Sequence, residues 1–292
     1  MYKKPTKAII TDAGFASRYL PITKTIPKAM IPIGAKPVMQ LCVEECAAAG
    51  IEEIIIVATP HTKSREIYED YFNNESANVR TLLEKQGKLD RFKAVEEVLN
   101  LPKITVIEQD DTLPYGNGSP IVSARRFIND DEAFVVLYSD DLILGKSDVA
   151  TLIEEYAKHP NAKAVITAQE MPEAVWNKYG MIALKDNGTL SHIVEKPKTP
   201  DLSPSNLTSY GRYLLTPEVF QYLVPENTGL DNELWTVDAI TKLAATGDVI
   251  VAKSAGKWIT TGDPKNYFMA HLQYVLDHTD YGDDVRKFVA ER

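Results

Sequence analysis

Two cationic side chains follow a short glycine-containing segment near the start of this sequence. Arg18 and Lys28 are separated by nine residues, and Lys28 lies in segment 26–32, which reads Ile-Pro-Lys-Ala-Met-Ile-Pro. The prolines restrict the backbone and therefore hold the lysine in one place. Ala13 and Gly14 follow an apolar run, and such turns let backbone N–H groups approach an anion closely. The pattern favours a polyphosphate-binding loop, with a surface loop carrying two solvated cations as the simpler alternative.

An acidic pair marks a second candidate site. Asp140 and Asp141 follow the apolar run 134–138 after one intervening serine. A carboxylate at the carboxyl end of a strand projects into the crevice where open α/β sheets bind ligands, and Mg²⁺ takes one or two carboxylates together with phosphate oxygens. Paired aspartates are also typical of turns and helix N-caps. Because the glycine turn also follows a strand, we predict that Asp140 lies at the same sheet edge and binds Mg²⁺.

Two further segments carry ligand-binding chemistry. Residues 194–197 read Val-Glu-Lys-Pro. Glu195 offers an acceptor for sugar hydroxyls, and Lys196 offers an ammonium group for a phosphate. The pair suits a sugar phosphate, and an exposed ion pair at a strand end is the alternative. A turn at Gly116, in the segment Tyr-Gly-Asn-Gly-Ser-Pro, suits either a hairpin-like loop or close contact with a flat ligand.

Apolar runs alternate with helix-like segments along the first part of the chain. We predict strands at 7–11, 54–58, 104–108, 134–138 and 164–168, and helices at 38–49, 63–74 and 148–158. From about residue 179 the pattern changes to short strands at 181–184, 191–194 and 249–253, with helices at 236–245 and 264–278. Solid apolar runs are typical of strands covered on both faces. The predicted fold class is therefore α/β, with a Rossmann-like mixed, mainly parallel sheet flanked by helices.

Composition limits the classes of function. The chain has 292 residues, 44% of them hydrophobic, which is enough for a large core. The formal net charge of −9 argues against nucleic-acid binding, and no apolar run is long enough to cross a membrane. Cys42 and Cys46 lie four residues apart on one predicted helix, where buried free thiols are more typical than a disulfide. We therefore expect a cytoplasmic protein without nucleic-acid or membrane partners.

An ordered set of motifs along nearly the whole chain resembles the sugar-1-phosphate nucleotidyltransferases, most closely the bacterial UTP–glucose-1-phosphate uridylyltransferases. The motifs are 13–14 with Arg18, 20–24, 26–28, 30–32, 36–37, 48–51, Asp140, 179–180, 194–197, 205–207 and 211–213. The resemblance implies the nucleotide-diphospho-sugar transferase type of fold. It also implies one domain over 1–292, with a nucleotide-binding core at about 1–178 and a sugar-binding and carboxyl-terminal part at about 179–292.

The same resemblance implies a reaction. A glucose-1-phosphate oxygen attacks the α-phosphorus of UTP in line, which gives UDP-glucose and pyrophosphate. Such a displacement depends on positioning and charge neutralisation rather than on a protein nucleophile. The implied roles are catalysis for Arg18 and Lys28, nucleotide binding for Ala13, Gly14, Gln109 and Gly116, sugar-phosphate binding for Gly180, Glu195 and Lys196, and Mg²⁺ binding for Asp140. A homodimer or homotetramer is the implied assembly.

Several positions depart from the family pattern. Ala16 replaces a glycine of the turn, and we expect it to avoid a positive φ, which would change the shape of the loop. Asp12 stands where the family has a small neutral residue, Trp235 replaces a glutamine, and Thr260 replaces an aspartate that commonly binds a second metal ion. These departures leave two alternatives open. One is a catalytically impaired homologue that binds sugar nucleotide or regulates an active paralogue, and the other is an enzyme for another sugar phosphate or nucleotide.

Overall fold

A nine-stranded mixed sheet forms the centre of the computed structural model, which describes residues 3–291. The strands of the main sheet and of two small sheets, in chain order, are β1 (Lys7–Asp12), β2 (Pro32–Ile33), β3 (Lys36–Pro37), β4 (Glu53–Ala58), β5 (Lys103–Glu108), β6 (Phe134–Tyr138), β7 (Asp141–Leu144), β8 (Ala164–Glu170), β9 (Gly180–Leu184), β10 (Leu190–Glu195), β11 (Leu207–Leu215), β12 (Val249–Lys253) and β13 (Lys257–Thr260). The helices are α1 (Val38–Ala48), α2 (Ser64–Asn73), α3 (Ala77–Lys85), α4 (Lys93–Leu99), α5 (Ser119–Ser123), α6 (Asp148–Lys158), α7 (Thr236–Thr246), α8 (Pro264–His278) and α9 (Gly282–Ala290).

The sheet order is β10-β9-β11-β6-β1-β4-β5, with β8 paired to β11 and β12 paired to β8. Strands β10 and β11 run against the other seven, so the predicted mixed, mainly parallel α/β fold is confirmed. Every strand and helix predicted from the sequence is present, with ends within two residues of those expected. Two small sheets, β2-β3 and β7-β13, lie outside the main sheet.

Hydrophobic cores cover both faces of the sheet. Ile9 and Ile10 on β1 are fully buried and belong to opposite faces, as expected for a strand covered on both sides. One core packs the sheet against α1, α2 and α6, and the other packs it against α5 and α7. Cys42 and Cys46 are buried free thiols in the first core. No helix within residues 3–291 is both long enough and apolar enough to cross a membrane.

Strand β11 was not predicted, and it joins the two halves of the sheet. One edge of β11 pairs with β8, while the other edge pairs first with β9 and then with β6. Ser209 is opposite Gly180 of β9, and Arg212 is opposite Leu137 of β6. Strand β11 therefore extends the sheet beyond the carboxyl end of β6. It brings the start of β9 to that same end.

Arg212 is a fully buried cation in the middle of β11. Its Nε and Nη2 donate to Glu45 Oε2 at 3.1 and 3.0 Å. Its Nη1 and Nη2 donate to the carbonyl oxygens of Tyr138 and Asp141 at 3.2 and 2.5 Å. Glu45 Oε1 accepts hydrogen bonds from the first two backbone N–H groups of α6, those of Asp148 and Val149. This network fixes the turn between β6 and β7, which contains Asp140.

Removal of the charge on Glu45 is expected to destabilise the chain strongly. A Glu45→Gln variant leaves the Arg212 guanidinium buried without its anion, and breaking such a pair costs about 3 kcal/mol or more. For a chain of this size we expect the Tm to fall by roughly 6–12 °C. Thermal unfolding followed by circular dichroism measures this shift.

The matched control is Glu69→Gln, which breaks an ion pair with Arg65 in which both side chains are exposed. Pairs of this kind contribute about 1 kcal/mol or less. Equal Tm shifts for the two variants would show that the buried pair is not a major stabilising interaction.

Candidate active site

An ion pair lies at the carboxyl ends of the central strands. Lys28 Nζ donates to Asp140 Oδ2 at 2.7 Å. Lys28 begins a short helical turn between the two prolines of segment 26–32, and Asp140 lies in the turn between β6 and β7. The structure therefore brings together two residues that are 112 positions apart in the sequence. The lysine is almost entirely enclosed, while the aspartate side chain retains one third of its exposure.

The charges of this pair stabilise each other. Burial opposes ionisation of Asp140, but attraction to Lys28 and the hydrogen bond between them outweigh it and lower the Asp140 pKa. Burial also opposes the charge on Lys28, and attraction to Asp140 and Asp12 outweighs it and raises the Lys28 pKa. The neighbouring Asp141 behaves differently, since burial and the charge of Asp140 raise its pKa to about 6. Asp140 is therefore the carboxylate that is held ionised.

Arg18 reaches the same region from the turn after β1. Its Nη1 donates to the carbonyl oxygen of Gly262 at 3.2 Å. Thr261, beside Gly262, donates from its backbone N–H to the carbonyl oxygen of Asp140 at 2.6 Å. The loop between β13 and α8 thus connects Arg18 to Asp140. Arg18, Lys28 and Asp140 form one cluster, which we call the phosphate-side cluster.

Thr260 faces this cluster in place of a second carboxylate. A Cβ added to Gly262 would lie 3.3 Å from Thr260 Oγ1 and 3.4 Å from Asp140 Oδ2, so both side chains border the same space. Asp263 does not turn into that space. Its Oδ1 accepts from the backbone N–H groups of Lys265 and Asn266, both at 3.0 Å, and caps α8. The loop therefore places a hydroxyl group beside Asp140, while the Asp263 carboxylate caps α8 and is close enough to Arg18 for the two charges to attract.

The glycine turn after β1 keeps the left-handed shape that the family motif suggests. Ala16 has φ 53° and ψ 50°, so the expectation that it would avoid a positive φ is wrong. The carbonyl oxygen of Ala16 accepts from Tyr19 N at 3.0 Å and from Thr23 Oγ1 at 3.1 Å, which compensates for the less favourable backbone conformation. Ala13 is half-buried, and a Cβ added to Gly14 would meet no described atom within 4 Å.

Asp12 is buried beneath this turn and does not face the open space in front of it. Its Oδ1 accepts from Ser139 Oγ at 2.6 Å, and its Oδ2 accepts from the hydroxyl of Tyr68. Burial raises the Asp12 pKa, while attraction to Lys28 opposes that effect. Thr59 Oγ1 donates to the carbonyl oxygens of Asp12 and Gly14 at 3.1 and 3.3 Å. Sequence analysis missed Thr59, Tyr68 and Ser139 as supports of the turn.

Gln109 lies at the end of β5, and Gly116 lies against the backbone of Leu234. Gln109 directly follows β5, and its backbone N–H donates to the carbonyl oxygen of Ala58 at 3.0 Å. Because β4 separates β5 from β1, Gln109 lies about two strand spacings, roughly 10 Å, from the glycine turn. Gly116 has φ 133°, and a Cβ there would lie 2.4 Å from the carbonyl oxygen of Leu234. Within residues 3–291, no hydrogen bond or ion pair joins Gln109 or Gly116 directly to the phosphate-side cluster.

Gly180, Glu195 and Lys196 form a second group, the sugar-side cluster. Glu195 is paired with Gly180, and a Cβ on Gly180 would lie 2.9 Å from Glu195 Oε2, so a larger residue there would displace that carboxylate. Burial raises the Glu195 pKa, and attraction to Lys196 opposes that effect. Lys196 Nζ lies 3.7 Å from Glu195 Oε1. The predicted acceptor and cation are therefore adjacent.

Strand register relates the two clusters. Along β11, the pair Ser209–Gly180 lies beyond the pair Arg212–Leu137 in the direction of the carboxyl end of β6, and β11 is irregular between Ser209 and Tyr213. Asp140 lies three residues beyond Leu137 in the same direction. The sugar-side cluster therefore lies at the same end of β6 as Asp140.

Three aromatic side chains connect the clusters. Tyr179 meets Trp258 edge-on at 4.9 Å, and Tyr210 stacks on Trp258 at 4.9 Å. Trp258 Nε1 donates to Asp141 Oδ1 at 2.7 Å, and the carbonyl oxygen of Tyr179 accepts from Lys196 N at 3.1 Å. No direct contact between Lys196 and the phosphate-side cluster is found within residues 3–291. Sequence analysis missed these aromatic residues, because their pairing depends on β7 and β13 meeting.

The oxygen atoms of the phosphate-side cluster suit a divalent cation that is coordinated mainly by the phosphate oxygens of a bound ligand. Within the described part of the chain, no three His, Cys, Asp or Glu side chains are grouped as a metal site. Asp140 nevertheless supplies one ionised carboxylate, and Thr260 borders the same space. Cations that take one or two carboxylates and complete their shell with phosphate oxygens and water fit this arrangement.

Comparison with known proteins gives consistent results. The family model described as nucleotidyl transferase matches residues 7–276. The chain is 37% identical to UTP–glucose-1-phosphate uridylyltransferase 2 of Staphylococcus saprophyticus, with 98% of each chain covered. It is 36% identical to UTP–glucose-1-phosphate uridylyltransferase of Bacillus subtilis, with 98% of this chain and 97% of the relative covered.

Solved structures agree with these relatives. The UTP-bound enzyme UGPase from Acinetobacter baumannii has a TM-score of 0.85 at 29% identity, covering 98% of this chain and 99% of that one. A UDP-glucose pyrophosphorylase complexed with UDP-glucose has a TM-score of 0.79 at 29% identity, covering 92% of this chain and 98% of that one. The chain therefore belongs to the nucleotidyl transferase family, within the group of bacterial UTP–glucose-1-phosphate uridylyltransferases.

Proposed function

We propose that this chain forms UDP-glucose and pyrophosphate from UTP and glucose-1-phosphate. The observation that carries the proposal is the preorganised Lys28–Asp140 pair, with Arg18 beside it, at the same end of β6 to which β11 brings the start of β9. The named activity of relatives more than one third identical over nearly the full chain supports the same conclusion. A cluster of cations and one carboxylate suits phosphoryl chemistry that needs charge neutralisation rather than a protein nucleophile.

The reaction is an in-line displacement at phosphorus. An oxygen of the glucose-1-phosphate phosphate forms the new bond to the α-phosphorus of UTP, and the bond from that phosphorus to the bridging oxygen of the β-phosphate breaks. Pyrophosphate leaves with the electron pair of that bond. The attacking phosphate is largely ionised near pH 7, so no protein base has to remove a proton.

Each cluster supplies a different part of the catalysis. Lys28 contacts the phosphate chain, and Arg18 neutralises the charge that develops on the leaving pyrophosphate. The backbone at Ala13 and Gly14, together with Gln109 and Gly116, binds the nucleotide along the ends of β1 and β5.

The sugar-side cluster holds the attacking group. Lys196 binds the phosphate of glucose-1-phosphate, and Glu195 accepts hydrogen bonds from the sugar hydroxyls at the space that Gly180 leaves open. Orienting both reactants in this way lowers the entropic part of the barrier.

A divalent cation, for which we propose Mg²⁺, fits beside Asp140. When bound, it would neutralise charge on the phosphate oxygens of both substrates. Asp140 is the residue that would hold it, and the lowered pKa keeps this carboxylate ionised. Lys28 and Asp140 also pair with each other, so neither charge is left uncompensated before substrates bind.

The alternative of an impaired homologue is not favoured. Ala16 adopts the left-handed conformation that a glycine would have, and Asp12 is hydrogen-bonded beneath the turn instead of facing the phosphates. Two of the departures from the family motif are thus accommodated without loss of the site's shape. Free buried thiols at Cys42 and Cys46 support a reducing, cytoplasmic location, and we further propose a homodimer or homotetramer from the family resemblance.

The wild-type chain is expected to release pyrophosphate from UTP, glucose-1-phosphate and Mg²⁺, and Asp140→Asn is expected to abolish most of this activity. Replacement of the ionised carboxylate should lower kcat by about 100-fold or more, in the range found when one electrostatic contact to a reacting centre is lost. A coupled pyrophosphate assay measures both.

Asp186→Asn is the matched control, because Asp186 is exposed in the turn between β9 and β10. It should retain wild-type activity. Absence of turnover in the wild-type chain, with bound UTP verified by calorimetry, would favour the impaired homologue instead.

Metal binding is expected to depend on the nucleotide. With one carboxylate available, the free chain should bind Mn²⁺ weakly, and UTP should strengthen binding about tenfold or more by adding phosphate ligands. Electron paramagnetic resonance of Mn²⁺, with and without UTP, measures this difference. Tight binding to the free chain that persists in Asp140→Asn would contradict Asp140 as the metal ligand.

Lys196→Gln is expected to change the KM for only one of the two substrates. Loss of a charge-assisted hydrogen bond to the sugar phosphate should raise the KM for glucose-1-phosphate by roughly 10- to 100-fold and leave the KM for UTP nearly unchanged. Lys253→Gln is the control, because Lys253 is exposed on β12 and pairs with the exposed Glu170. Equal increases in both KM values for Lys196→Gln would contradict the assigned role.

A further inference from the structure

The backbone of Lys196 is fixed, but its side chain is partly free. Lys196 has φ 46°, a left-handed conformation, and its N–H donates to the carbonyl oxygen of Tyr179 at 3.1 Å. Its side chain is 45% exposed. A flexible lysine loses rotamer freedom when it binds an anion, and this loss opposes binding. An interaction that holds the ammonium group in place beforehand would reduce that loss.

The indole ring of Trp235 provides such an interaction. Lys196 Nζ lies 4.6 Å from the centre of the Trp235 ring. This distance is within the range of a cation–π contact, for which tryptophan is the strongest partner. The contact differs from an ion pair, because an aromatic face attracts the ammonium group without cancelling its charge. The remaining donor directions of the group stay available to phosphate oxygens.

Trp235 is itself rigidly held. Its Nε1 donates to the carbonyl oxygen of Leu230 at 3.0 Å, and the residue is 9% exposed. Its neighbours on both sides are tied to the loop around Gly116, since Leu234 O accepts from Gly118 N at 2.8 Å and Thr236 N donates to Asn117 Oδ1 at 2.8 Å. The ring therefore has little freedom to follow the lysine.

We propose that Trp235 is a positioning residue that preorganises Lys196 for the sugar phosphate. The inference rests on the proposed function, because it takes the phosphate of glucose-1-phosphate as the anion that Lys196 binds. Trp235 does not touch the reacting atoms in this assignment. It holds the ammonium group above a ring that is fixed by the loop around Gly116, and this contact adds no counter-charge to that of Glu195.

The first test compares Trp235→Leu with Trp235→Phe. Leucine keeps apolar volume without an aromatic face, and we expect it to weaken binding of glucose-1-phosphate roughly 3- to 30-fold. Phenylalanine keeps a weaker aromatic face and should lie between leucine and the wild type. Calorimetry with α,β-methylene-UTP and Mg²⁺ present measures the affinity without turnover. Affinity for the nucleotide analogue and kcat should change by less than about twofold.

A double-mutant cycle separates positioning from a general structural role. In the Lys196→Gln background, Trp235→Leu should cause no further loss of affinity, because the contact is already absent. Additive losses, or a parallel loss of nucleotide affinity, would overturn the proposal.

Fluorinated tryptophans provide a variant series that preserves the fold. Singly, doubly and triply fluorinated tryptophan at position 235 withdraws electron density from the ring face with little change in size. Affinity for glucose-1-phosphate should fall stepwise along the series, and the same series at Trp176 should show no trend. A flat series at 235 in a chain that binds glucose-1-phosphate would overturn the positioning role alone. A wild-type chain that binds no glucose-1-phosphate would overturn the proposed function as well.

Discussion

The buried guanidinium of Arg212 is the constraint on which the candidate site depends. A fully buried cation is unfavourable unless its donors are satisfied, and here they meet Glu45 and the carbonyl oxygens of Tyr138 and Asp141. Those two carbonyls flank Asp140 on either side. Satisfying the cation therefore fixes the turn that carries Asp140. The same strand, β11, extends past β6 and pairs with β9, so one element sets the positions of both clusters.

The site keeps opposite charges paired in the absence of ligand. Lys28 and Asp140 are close enough to offset much of each other's desolvation, and each shifts the pKa of the other towards the charged form. Substrate phosphates and a cation would replace this pairing with two matching contacts, phosphate to Lys28 and cation to Asp140. Exchange of one set of favourable contacts for another avoids the cost of exposing bare charges in an enclosed space.

Local patterns in the sequence were enough to predict most elements but not the contacts between them. The ends of strand β1 and helix α8 were predicted within one residue, because both have local signals in the sequence. Strand β1 is a solid apolar run, and the 15-residue helix α8 begins at an Asp-Pro pair. Strand β11 was missed, since glycine and arginine interrupt its apolar pattern and both are explained only by partners far along the chain. The motif residues Lys28 and Asp140 were found, whereas Trp258 was not, because its role follows from the pairing of β7 with β13.

Two cationic side chains of the site depend on a non-glycine residue whose backbone has a left-handed conformation. Ala16, with φ 53°, begins the turn that carries Arg18, and Lys196 itself has φ 46°. Such conformations cost of order 1–3 kcal/mol and persist only where surrounding contacts determine them. At Ala16 the carbonyl accepts two hydrogen bonds, and at Lys196 the N–H donates to Tyr179. At these two positions the contacts that hold the strained backbone also place Arg18 and Lys196, which is the behaviour of a scaffold that fixes cations before the phosphates arrive.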